Sequence, residues 1–282
     1  MTKLFRTLLT GSGLLAWTLA HADVVADWNA IALNAVESSA AHPAAAQRAL
    51  AGIHVAMFEA MNFIERRYVP RLVVRPASPI AASSEAAAAA AAHLVLSRLY
   101  PGRSGAFDAA LERSLAEIPD DGRKTSGTVT GRAIGGNVYA VWTWEEPAAR
   151  APGVPEAAAD PLLWNLIAAK LIEGRALAPI EAARVHALVS IAVNDIYSAA
   201  GRGSRAFRAE RSCVPCAAGV ATLRVLESAQ VRDSGTQALR KLDDGTILRA
   251  LLTYSERSAE HSDRRLGEGF GAHALSHYRP VS

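Results

Sequence analysis

Apolar positions recur at helical spacing along most of the chain, and one stretch exceeds the ordinary amphipathic pattern. From 47 to 64 the run QRALAGIHVAMFEAMNFI carries a stripe at Leu50, Ile53, Met57, Met61 and Ile64. Ala51, Val55, Phe58, Ala60 and Phe63 make most of the remaining circumference apolar as well. A helix that is apolar nearly all round belongs in an interior. Pro43 suits its first turn, and its polar members His54, Glu59 and Asn62 each need a partner once buried. A second run of this kind, 180–200, has its seam at Val185, Leu188, Ile191 and Ile196, with His186, Asn194 and Asp195 as the polar exceptions. Asp195 reads two ways, as a group that orients a neighbour or as a buried carboxylate bonded to backbone or a tyrosine.

The same periodicity predicts helices at about 25–39, 44–64, 83–99, 104–117, 123–143, 160–174, 179–200, 217–230 and 235–257, and so an all-α fold. Pro43, Pro101-Gly102, the run from Pro119 to Gly122, Gly174 and Pro179 punctuate the ends of periodic runs. The alanine tract 86–92 is expected to be a helix whose small side chains let a neighbour approach, because alanine is the best helix former. Between 145 and 160 the pattern stops, with three prolines in EEPAARAPGVPEAAAD, which reads as a surface loop. Neither half has enough helical faces to enclose its own core, so 23–282 is expected to be a single domain.

Residues 1–22 carry the parts of a secretory signal. Lys3 and Arg6 precede an apolar segment from Leu8 to Ala20, and Ala20-His21-Ala22 offers a small-residue cleavage site. The apolar segment is interrupted by Thr10, Gly11, Ser12 and Gly13 and falls short of the ~20 residues of a membrane span. Cleavage after Ala22 and a periplasmic or secreted destination are expected, with no transmembrane span in the mature chain. Of 30 basic and 27 acidic residues, cleavage removes two basic ones, Lys3 and Arg6, leaving a net charge of +1. With no long Lys/Arg run either, nucleic-acid binding is set aside.

The helix QRALAGIHVAMFEAMN around His54, preceded by the segment DWNAIAL at 27–33, resembles the N-terminal half of the bacterial vanadium-dependent haloperoxidases. These belong to the type-2 phosphatidic acid phosphatase superfamily, and Trp164-Asn165 is similar to a later helix of that family. The resemblance implies a helical bundle with an oxyanion site. It also implies, in the C-terminal half, a Lys, an Arg-Pro, a Pro-Ser-Gly-His turn and a Ser-Arg followed by a His that attacks phosphate or ligates vanadate.

That half departs from the pattern. Arg208, in Phe207-Arg208-Ala209, stands where the Arg-Pro is expected, and no matching Lys precedes it. The turn matches Pro215-Cys216-Ala217-Ala218, so alanine replaces the histidine that protonates the leaving group. Arg257 matches the later oxyanion-binding arginine and His261 the nucleophile or vanadate ligand, at a contracted spacing; an exposed loop and a solvated helix end are the plainer readings of Arg208 and His261. The expected function is therefore an exported helical protein with a degenerate oxyanion site, binding a phosphate-like anion or a protein partner without turnover and needing no cofactor. The alternative is an active phosphatase or vanadate-dependent haloperoxidase built on Arg208, Arg257 and His261. A helical interaction module with no anion shares the fold.

Cys213 and Cys216 are the only cysteines. In an exported chain the C-x-x-C spacing favours a disulfide, with metal-bound or free thiols and a redox role as the other readings. His273 and His277, four apart, could present two imidazoles to a metal, but with no third ligand nearby in sequence they read as part of a frayed tail and no metal site is expected.

One mass measurement on protein recovered from the periplasm tests both expectations. The chain should begin at Asp23, and its mass should rise by ~2 Da on reduction as a disulfide takes up two hydrogens. A full-length chain in the membrane fraction, or thiols that alkylate without reduction, would reject the respective reading.

Overall fold

The computed structural model describes residues 23–39, 41–74, 76–142, 162–173, 175, 177–201, 214–229 and 261–281, with the backbone path alone for 201, 215, 216 and 261–263. Among these the chain is helical, without a strand: α1 Val24–Glu37, α2 Pro43–Glu65, α3 Ser84–Leu99, α4 Ser104–Ala116, α5 Gly122–Val141, α6 Leu163–Glu173, α7 Pro179–Gly201, α8 Val214–Ser228 and α9 His261–His277. The signal segment expected at 1–22, the loop expected at 145–160 and the helix expected at 235–257 lie outside the described residues.

Local chemistry accounts for the helix starts. The Asp23 carboxylate accepts from the Val25 and Ala26 amides at the head of α1, Ser83 Oγ from Ala86 N in α3, and Asp121 from Arg123 N and Lys124 N in α5. Each satisfies amides that a first helical turn leaves without a carbonyl. Pro43 and Pro179 open α2 and α7, where a missing amide hydrogen costs nothing. Arg66 ends α2 in the left-handed region at φ 58°. Its guanidinium holds that turn by donating to the carbonyls of Pro76, Ala77 and Ser78.

At the centre lies α2, every residue of which from 46 to 62 is buried. It packs against α1, α3, α5 and α7. The seam of α7 at Val185, Leu188, Ile191 and Ile196 is equally buried, as expected. Trp28 fills the core from α1, with its indole nitrogen donating to Ser114 Oγ at 3.0 Å, and Trp164 fills it from α6.

The alanine tract is wholly buried, Ala86 to Ala92, and the neighbour it admits is α5. Gly127, Gly131 and Gly135 lie opposite Ser83, Ala87 and Ala91, so the two helices run parallel in register. A Cβ on Gly131 would stand 2.7 Å from Ala87 Cα and closer still to its carbonyl oxygen. Helix α9 repeats the device against α8: Gly267 sits beside Ala217 and Val220, and Gly271 beside Ala221 and Arg224. These helices are also parallel, and their N-termini, Val214 and His261, lie at the same end. The last residues return to the loop after α2, where Val69 N donates to Arg279 O at 2.9 Å and Val281 N to Arg67 O at 3.0 Å.

Two departures from the sequence reading have physical causes. Helix α8 begins at Val214, so Pro215 to Ala218 form its first turn and do not precede it, since proline is tolerated there. The segment carrying His273 and His277 is a helix with Ala274 and Tyr278 buried, and not a frayed tail. Its three glycines lower its propensity, and its packing against α8 requires two of them.

The α3–α5 contact generates a paired prediction. Gly131→Ala should lower the urea-derived stability by about 1–3 kcal/mol or more, because backbone must move. Gly136→Ala on the same helix, where a Cβ meets nothing within 4 Å, should leave stability unchanged or raise it by up to about 1 kcal/mol. Equal effects of the two would refute the close approach.

Candidate functional site

The polar members of α2 find their partners in different neighbours. His54 Nδ1 lies 2.6 Å from Ser190 Oγ of α7, and Nε2 lies 2.9 Å from Asn29 Oδ1 of α1. Ser190 Oγ donates to Asn165 Oδ1 of α6 at 2.7 Å, and Asn165 Nδ2 donates to Gln47 Oε1 at 3.2 Å. One buried polar chain thus ties four helices together. Burial, and then the nearby His186, hold His54 well below its ordinary value, so the ring is neutral. A neutral ring donates from one nitrogen only. With the Ser190 proton given to Asn165, His54 donates from Nδ1, and the Asn29 amide is best turned to present its nitrogen to Nε2, an orientation that the network decides.

His186 packs against His54 with ring centroids 5.2 Å apart. Burial brings it down to about 4, and its Nδ1 is buried without a hydrogen-bond partner. Farther along α2, Glu59 Oε1 accepts from the amides of Arg71 and Leu72 at 2.9 and 3.1 Å. Burial nevertheless raises its carboxyl, against the pull of those two bonds. The Tyr278 phenol beside it is pushed well up by burial and by the Glu59 charge. Asn62 is satisfied at both ends by the Tyr68 backbone, donating to its carbonyl and accepting from its amide.

At the contact of α7 with α9, donor atoms of Asp195, His273 and His277 all lie within 4.8 Å of one another. The helical spacing brings the two imidazoles together, centroids 4.7 Å apart, and α7 supplies the carboxylate that no nearby stretch of sequence offered. Asp195 Oδ1 accepts from Asn194 Nδ2 at 3.3 Å. His277 Nε2 is buried without a hydrogen-bond partner. Burial, followed by the charges of Arg71 and His273, lowers His277 to about 4, so the ring is neutral with a lone pair available.

A cavity of about 880 Å³ opens elsewhere, between the start of α1 and α4, lined by Asp27, Ile31, Arg113, Glu117, Arg123 and Leu177 among others. Burial, then the Asp23 charge, raises the Asp27 carboxyl there. The cavity contains none of the residues that the sequence pointed to. Of those, Arg208, Arg257 and Cys213 lie outside the described residues, as do the side chains of Cys216 and His261. Ala218 is fully buried in the first turns of α8. The sequence showed His273 and His277 as a pair and Asp195 apart from them, and their meeting, at which the H-x-x-x-H spacing alone hinted, was missed.

The two buried histidines make stability depend on pH. In the unfolded chain both titrate near 6.5, whereas the folded rings stay neutral to lower pH. Between 6.5 and about 4 the unfolded state therefore binds more protons, and stability falls as pH falls. His186 alone accounts for about 3 kcal/mol over that window, at ~1.4 kcal/mol per pKa unit. Urea midpoints should be level above pH 7 and drop below 6.5, with a shallower drop in His186→Phe. An acid slope identical in variant and parent would contradict this.

Comparison with protein-family models, with curated proteins and with solved structures finds no match for this chain.

Proposed function

We propose that this chain is an exported helical protein of the haloperoxidase and acid-phosphatase type whose oxyanion site has decayed, acting by binding or assembly without turnover. The observation that carries this reading is Ala218, fully buried in the first turns of α8. Where the resemblance leads one to expect a histidine, a methyl group faces the core. A methyl group transfers no proton, and loss of a general acid removes a factor of ~10²–10⁴ in rate.

What remains favours weak attraction of an anion. The parallel α8 and α9 bring two helix N-termini to one end, where first-turn amides and the helix dipoles present partial positive charge. His261 is the first residue of α9, and Arg208 and Arg257 are the cations that a rearranged site would recruit. Lys, one His and the Ser donor are missing relative to the resembled pattern. At ~1.5–3 kcal/mol for each charge-assisted bond, vanadate or phosphate binding should be weaker by ~10³-fold or more than in a complete site. The segment 1–22 supports export.

Purified mature protein is expected to show no vanadate-dependent halide oxidation and negligible hydrolysis of an aryl phosphate. Turnover in the ordinary enzyme range that disappears in His261→Ala would replace this reading with an active phosphatase or haloperoxidase.

A further inference from the structure

We infer that Asp195, His273 and His277 form a binding site for a divalent transition-metal ion of the zinc class, clamped between α7 and α9. The donor set consists of two imidazole nitrogens and one carboxylate, three of the four ligands that zinc takes, a composition suited to zinc and its neighbours and not to calcium or magnesium. The three donor atoms lie within 4.8 Å of one another. A tetrahedral ion with bonds of about 2.0–2.1 Å needs its donors roughly 3.4 Å apart, so the site closes by side-chain rotation of the two histidines on one helix face.

An independent observation points to a ligand. His277 Nε2 is removed from solvent yet has no hydrogen-bond partner, and a buried nitrogen in that condition costs free energy that a metal bond would restore. Asn194, bonded to Asp195 Oδ1, is placed to orient the carboxylate as outer partners of metal ligands do. Arg71 is the opposing influence, since its charge reaches His277. The inference does not rest on the oxyanion reading, since it uses neither His261 nor the two arginines. An ion here would fasten the C-terminal helix to α7.

The test uses the full mature chain without an affinity tag, freed of metal by chelation and titrated with Co²⁺ and then Zn²⁺. One equivalent of Co²⁺ should bind with visible d–d absorption and without the near-ultraviolet charge-transfer band that the thiolates of Cys213 and Cys216 would give. Zn²⁺ should displace it and raise the melting temperature as its concentration increases. His273 is exposed, so His273→Gln should keep the fold while weakening binding by a factor of about 100 or more, beyond what loss of an outer partner costs. Asp195→Asn should do the same. Binding unchanged in both variants, binding that shows thiolate charge transfer, or no saturable binding of either ion would overturn the assignment.

Discussion

A helix buried on every side has no wet stripe on which to place its polar side chains. Gln47, Arg48, His54, Glu59 and Asn62 all lie on the buried part of α2, and the surrounding elements are positioned by the need to meet them. Asn29 fixes α1, Ser190 and Ser198 fix α7, Asn165 fixes α6, and the backbone at 68–72 closes over the far end. Apolar surface supplies the attraction, but it is tolerant of sliding. Hydrogen bonds are not, because a buried donor or acceptor that loses its partner costs about 1–3 kcal/mol. The polar chain therefore selects one register among the many that would bury similar area.

This division explains what could be read from the residues. Periodicity tells which side of a helix faces inward, so the burial of α2 and α7, and the close-packed role of the alanine tract, were legible in advance. It does not tell which helix lies opposite. His54 was expected to need a partner, yet nothing in its neighbourhood named Ser190 or Asn29. Likewise His273 and His277 were visible as a pair, whereas Asp195 belongs to another helix brought alongside only by tertiary packing. Helix α9 itself was missed for a related reason. Gly267 and Gly271 depress helix propensity locally, and their justification lies in the α8 surface that they touch.

The proposed function turns on one position. A cradle for an oxyanion needs convergent cations and a proton donor, and the start of α8 offers an alanine buried in apolar packing. The Asp195, His273 and His277 cluster lies on the same α7–α8–α9 assembly yet has different chemistry, selecting a cation with neutral imidazoles and one carboxylate. The two proposals thus place an anion at one end of the C-terminal third and a cation on one of its faces, and they compete for no described side chain.

The bridge between 67–69 and 279–281 bears on the order in which the molecule folds. The cap over Glu59 and Asn62 contains Tyr68, and the ring packed edge-on against Phe58, with centroids 4.4 Å apart, belongs to Tyr278. The central helix is consequently incomplete until Tyr278 and the residues after it have returned to it. A chain whose innermost element is sealed by residues so far along the sequence has contacts of very long separation, which slow folding. Such a polypeptide commits to its final packing only when two segments far apart in sequence have met.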